Sequence, residues 1–357
     1  MQARVTSLLN ASINQQQHNY QAQVERQSRP SRGFLLKVNG TQLRSAVVKQ
    51  RKRPRGTGGT AAEVYGEAQH DVDDEDDLDW PSVVIAALED TFNAFESRLD
   101  SLSSATSGAG EATSSVSSLK SLCGVEIRHC RLQATHIYPG AEASTSLSQL
   151  LLSPGRLWNH HATSASHTVL CSSITTLDLE CNLLGDDGVE RLCSHLLPCL
   201  PHLQRLLLAS NRITAVGFVN LLRTLSSSKS THPGLALEAL GLTNNAVGCF
   251  YGGCSVEEGC EKLREAWLEV VQAFVRCVAS TLRRVHLNHA ALSTREVVVL
   301  IDALFQHSFS GRDPCVFDLL YLRENKQVSK DEVVQQLHIA AADRSELDEF
   351  VKTHLSW

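Results

Sequence analysis

Two stretches, ITTLDLECNLLGDDGVERLCSHL from Ile174 to Leu196 and LQRLLLASNRITAVGFVNLLRTL from Leu203 to Leu225, are written on one pattern. Each reads L-x-x-L-x-L-x-x-N-x-L, with Ile174 standing for the first leucine, and each runs on into an amphipathic segment. The starts are 203 − 174 = 29 residues apart. Leu177 and Leu179 alternate with Asp178 and Glu180, the period of a strand buried on one face. Asn182 falls where the chain must turn, and its amide can bond backbone groups that would otherwise be buried unpaired. Val189, Leu192 and Leu196 then recur at helical spacing and cover the strand. One such unit cannot bury its apolar face alone, so neighbours must stack.

Working outward, the template recurs in LCGVEIRHCRL from Leu122, LEALGLTNNAV from Leu237, LRRVHLNHAAL from Leu282 and FDLLYLRENKQV from Phe317. The turn slots of all six copies hold Cys130, Asn182, Asn211, Asn245, Ala290 and Asn325. Ala290 is the missing rung of this ladder, and the uneven spacing of the starts confines regularity to the middle of the array. The pattern resembles the leucine-rich repeat. The long period, with Gly185-Asp-Asp-Gly188 leading straight into a helix, is similar to the ribonuclease-inhibitor-like subtype. That resemblance implies an α/β solenoid with a curved parallel sheet inside, helices outside and about six repeats over 119–329.

The flanks read differently. Residues 1–79 are expected to be a largely disordered arm, with a hairpin over 34–48 turning at Asn39-Gly40. Ten cations without an acid lie between Arg26 and Arg55, and the acidic run DVDDEDDLD spans Asp71 to Asp79. The basic tip KQRKRPRG is similar to a nuclear-localisation or polyanion-binding cluster, but a solvated linker is the preferred reading. Over 80–118, Val84, Leu88, Phe92, Phe95, Leu99 and Leu102 form one helical stripe after Pro81. It serves as an N-terminal cap or as a coiled-coil partner, followed by a Ser/Gly/Ala-rich linker. Residues 330–357 read as a C-terminal capping helix.

The 357-residue chain carries a net charge of −6, which argues against nucleic acid as its main partner. No apolar run reaches membrane-span length, and the arginine-poor N-terminus does not suit a mitochondrial presequence. Eleven cysteines without a C-x-x-C pair fit free thiols in a reducing, cytoplasmic compartment better than a disulfide framework. His160, His161, His167 and Cys171 lack the paired spacing of structural zinc, as do Cys249, Cys254 and Cys260. There is no G-x-S-x-G, and GTGGTA at Gly56 lacks the lysine of a phosphate loop. The reading is a non-enzymatic chain without a cofactor.

The third, fifth and seventh template positions face away from the helices, onto the concave side. They supply Glu126, Arg128, Asp178, Glu180, Arg205, Leu207, Arg284, His286, Tyr321 and Arg323 as candidate partner-binding residues. The trough is acidic around the second repeat, small in the middle, and basic and aromatic at the end. A binding surface of this kind implies an interaction or scaffold protein with a protein partner. The family resemblance extends to subunits of cytoskeletal and ciliary assemblies. The alternative it implies is a GTPase-activating protein of the Ran-regulator type, although that family's long acidic tail is absent.

Overall fold

The computed structural model describes residues 2–3, 5–11, 15, 34–51, 79–91, 122–138, 146–152, 174–227, 237–248, 257–278, 281–309, 317–340 and 344–357. Among the described residues, eight strands make one parallel sheet in which each pairs with the next in chain order: β1 (Phe34–Asn39), β2 (Leu122–Arg128), β3 (Thr176–Asp178), β4 (Arg205–Leu207), β5 (Ala239–Gly241), β6 (Arg284–His286), β7 (Leu319–Tyr321) and β8 (Leu355–Ser356). The described helices are α1 (5–11), α2 (Gly40–Arg51), α3 (80–91), α4 (Ala134–Ile137), α5 (Leu147–Leu152), α6 (Gly185–Arg191), α7 (Ala215–Ser227), α8 (Glu257–Val278), α9 (Thr294–Phe309), α10 (Lys330–Ala340) and α11 (Arg344–His354). The chain is therefore α/β, with an open parallel sheet and helices.

The register shows why the leucine spacing produces this sheet. Val125, Leu177, Leu206, Leu240, Val285, Leu320 and Leu355 stand side by side across β2 to β8. All are buried, as are Ile127, Leu179, Leu208, Leu242, Leu287 and Leu322 two residues further along. Inward residues thus stack into rows, and the successive helices α6 to α10 pack against one another over them. One buried apolar cluster runs from Val5 to Leu355. Helix α9 is started by a reciprocal cap. Ser293 N–H and Oγ donate to Glu296 Oε2 at 2.7 and 2.8 Å, and Glu296 N–H donates back to Ser293 Oγ at 3.4 Å. The Trp267 indole of α8 donates to the Glu296 carbonyl at 3.1 Å, tying the two helices together.

Three expectations are corrected at the ends of the array. The stretch over 34–48 is not a hairpin. Its first run is strand β1, which lies parallel to β2, and its second run is helix α2. Asn39 Oδ1 accepts from Gln42 N–H at 3.1 Å, an N-cap bond that starts the helix. Gly40 is needed because a Cβ there would collide with the carbonyl of His129. The arm also contains α1, whose Val5 and Leu9 are buried and whose Thr6 Oγ1 donates to Asp90 Oδ2 of α3 at 3.2 Å. Finally, residues 330–357 hold two helices and a last strand, β8, rather than one capping helix.

Helix α3 follows the expected stripe as far as it is described. Val84 and Leu88 are buried, along with Trp80, Ile85 and Ala87. Phe92, Phe95, Leu99 and Leu102 lie outside the described residues, as do both charge blocks except Lys37, Arg44, Lys49, Arg51 and Asp79. Trp80 lies under the Arg44 guanidinium of α2, and Asp79 is 3.5 Å from His136 of α4. The helix is thereby fixed against the first two strand–helix units.

Candidate functional site

The six turns that follow β2 to β7 share one backbone shape. His129, Cys181, Ser210, Asn244, His289 and Glu324, each just before a rung, all adopt a left-handed conformation. That bend points the next side chain inward, where the asparagines are buried. Asn245 Oδ1 accepts from the N–H groups of Asn211 and Ile213 at 3.0 Å, while its Nδ2 donates to Leu208 O and Leu242 O. Asn182 and Asn325 repeat the arrangement, reaching back to Cys130 N–H and Leu132 N–H and to Ala290 N–H and Leu292 N–H. Asn211 is looser, with Oδ1 3.4 Å from Leu184 N–H. Cys130 fills its slot with a thiol that donates to Arg128 O at 3.3 Å. Burial pushes that thiol up to about 12, far from a reactive thiolate.

The ladder fixes the strand ends, and the open face is laid out between them. On β1 to β3 the charges pair with each other. Lys37 Nζ is 3.0 Å from Glu126 Oε2. Arg128 donates from Nε to Asp178 Oδ2 at 2.9 Å and also from Nη2, while Nη1 lies 3.2 Å from Glu180 Oε2. The other Asp178 oxygen accepts from Glu180 N–H at 3.1 Å. The Asp178 side chain is 0% exposed. The hydrogen bond to Asp178 raises the Arg128 pKa further. Burial, then the Asp178 charge, raises that of Glu180. The expected acidic stretch is therefore an ion-paired one, two cations against three acids, and Asp178 meets Arg128 rather than solvent.

The middle of the face is small. Gly241 leaves room for the Leu207 side chain, whose Cδ2 would lie 2.9 Å from any Cβ there. On β6 and β7 the His286 and Tyr321 rings are stacked, 4.1 Å between centroids and 6° from parallel. Burial, with Arg284 and Arg205 beside it, pushes the His286 pKa down. Arg284 is 61% exposed and only loosely paired, 3.8 Å from Asp318 Oδ2. Arg205 is exposed, with no acid paired to it among the described residues. The exposed Arg323 donates from Nε to the Ser356 hydroxyl at 3.2 Å, and its N–H donates to Asn288 Oδ1 at 2.8 Å.

The structure therefore brings together all ten candidate residues on one sheet face but divides them into two groups. It adds Lys37, which was missed because β1 was read as a hairpin. The spacing Leu36-x-Val38-x₄-Leu43 repeats Val125-x-Ile127-x₄-Leu132 and is the signal that identifies the extra strand. Among the described residues, no three His, Cys, Asp or Glu side chains converge as a metal would need. Of the two candidate zinc sets, every member except Cys260, which falls on α8, lies outside those residues. Cys130, Cys181, Cys193 and Cys199 form no disulfide. No helix among the described residues is long and apolar enough to cross a membrane.

No protein-family model matches the chain, and no curated protein matches it. The class defined by the fold is α/β with an open parallel sheet, helices against one face and ordered polar side chains on the other.

Proposed function

We propose that the chain is a non-enzymatic interaction or scaffold protein, a leucine-rich repeat solenoid resembling the ribonuclease-inhibitor-like subtype. Its protein partner binds on the open face of the sheet. The observation that carries this reading is the division of the sheet into a helix-covered face and an exposed one. A row of exposed or half-buried side chains, including Arg205, Leu207, Arg284, His286, Tyr321 and Arg323, lines that exposed face on a backbone held by buried asparagines. A sheet left open in this way offers area rather than a cleft, and a rigid ladder lowers the ordering cost of binding. A role in cytoskeletal or ciliary assemblies rests on the resemblance alone.

The test is site-directed photo-crosslinking in cells. A photoreactive residue at Leu207 or Arg284 is expected to capture a defined protein. The same probe at Val216 or Ile339, exposed on helices α7 and α10, is expected to capture none. Equal capture from the helix layer would refute the open-face reading. Faster GTP hydrolysis by a small GTPase on adding the chain would overturn the non-enzymatic one.

A further inference from the structure

The charges at β1 to β3 are paired with one another, whereas the arginines on β4, on β6 and just past β7 are not paired to the same degree. Arg128 meets two carboxylates. Arg205 and Arg323 meet none among the described residues, and Arg284 reaches only Asp318, at 3.8 Å. Arg205, Ala239 and Arg284 are side by side across three strands, so the two guanidinium stems are two strand spacings apart, ~10 Å. Between and beyond them lie apolar and aromatic surfaces: Leu207 over Gly241, and Tyr321 stacked on His286.

Resting on the open-face reading above, we propose that this half of the face binds an acidic, extended segment of a partner protein. Its carboxylates sit on Arg205, Arg284 and Arg323, and its intervening side chains lie against Leu207 and Tyr321. Arginine suits the role because its planar fork takes a carboxylate through two parallel hydrogen bonds. The spacing suits it too. An extended segment with three residues per turn presents the same side every ~9 Å, close to the separation of Arg205 and Arg284. A protein segment is favoured over nucleic acid because the cationic area is short. It is bounded by Asp318 at one edge and by Glu126 and Glu180 on the same face, on a chain of net charge −6. A phosphate backbone continuing past the arginines would meet those acids.

The experiment uses the full chain and a labelled peptide with glutamate at every third position and proline between, read by fluorescence anisotropy at low salt. Its control is the matching glutamine peptide. The glutamate peptide is expected to bind and the glutamine peptide is not. Arg205→Ala/Arg284→Ala should weaken binding about tenfold or more. Arg223→Ala, on the far side in α7, should leave it unchanged. The two open-face arginines are exposed, so an unchanged unfolding midpoint excludes misfolding as the cause. Equal binding by the double variant, or no binding at all, overturns the proposal. Tighter binding of a single-stranded oligonucleotide of equal charge, lost in the same variant, overturns it in favour of nucleic acid. A tenfold gain in peptide affinity on deleting residues 71–78 also overturns it, because the occupant is then the chain's own acidic run. If Leu207 still crosslinks a protein while the peptide fails, the open face stands and only its acidic preference is wrong.

Discussion

The two halves of the open face share one sheet register and both carry arginine, which they use in opposite ways. At β2 and β3 an arginine pairs with two acids of the neighbouring unit, to the point that Asp178 is closed off from water. On β4 to β7 the arginines alternate with small residues and an aromatic stack, and solvent is their main partner. The lesson concerns spacing. Opposite charges one strand apart become structure, whereas like charges two strands apart remain available for binding.

The largest expected effect breaks the paired half. Arg128→Met leaves Asp178 buried beside Glu180 without a cation. Removing one partner of a buried pair costs about 3–5 kcal/mol. Arg128 is 37% exposed, so water screens part of this and about 2–3 kcal/mol is expected. Arg128→Met/Asp178→Leu should recover most of the loss, since burying neither charge avoids the penalty. An unchanged urea midpoint for the single variant would mean the pair is surface decoration.

The next effect asks whether the difference between the halves goes deeper than the face. The asparagine ladder runs under both, so Asn182→Ala and Asn325→Ala should cost similar amounts, about 2 kcal/mol each. Asn211→Ala should cost less than Asn245→Ala, its bond to Leu184 N–H being longer. Ala290 sits between left-handed His289 and Ala291, the bend that Ser210 and Arg212 place around Asn211. Ala290→Asn should therefore regain about 1 kcal/mol. A cost confined to one half would show that the two halves unfold separately.

How much of this was legible follows from what each residue signals by itself. The middle strands and their asparagines could be read because leucine at two spacings and a polar residue in a fixed slot have few other uses. Strand β1 was hidden because Asn39-Gly40 is also the strongest short hairpin signal, and because its turn slot holds Thr41 in place of asparagine or cysteine. The helix that follows was decided by a cap and by the approach of Gly40 to His129, a tertiary contact. Strand β8 is two residues long, too short for any period. The columns of the open face could be listed in advance, but which charges pair depends on the Arg128–Glu180 register. Asp178, read as a surface acid, turns out to be buried through its neighbour.

A smaller effect concerns the aromatic stack. Tyr321→Ala removes a ring lying flat on His286, and such pairs are worth about 0.5–1.5 kcal/mol beyond area. A destabilisation of about 1 kcal/mol is expected, together with weaker partner binding, since tyrosine is a common hot-spot residue. A Leu207→Ala change should cost a comparable amount, as Leu207 is half-buried over Gly241. Should either change prove neutral, the β4–β7 half is less ordered than its geometry implies.

The smallest effect separates charge from packing. Arg205→Ala should leave the unfolding midpoint within about 0.5 kcal/mol of the parent at pH 8, because the side chain is exposed and unpaired among the described residues. It should nonetheless move His286. The groups around that ring are Arg284 on its own strand with Asp318 beyond it, Arg205 on β4, uncharged Gly241 on β5 and the Tyr321 ring on β7. Burial depresses the His286 pKa most and the two arginines add to it, so the folded chain resists a proton that the unfolded chain accepts. Between the folded pKa and the ordinary histidine value the unfolded state binds more protons, and stability falls as pH falls. Removing Arg205 raises the folded pKa and shallows that fall. The variant should therefore match the parent at pH 8, become slightly the more stable at mildly acidic pH, and show a higher His286 midpoint by NMR. An unmoved His286 midpoint would mean that Arg205 lies too far from the ring to act together with Arg284. The arginines could not then be treated as one cluster.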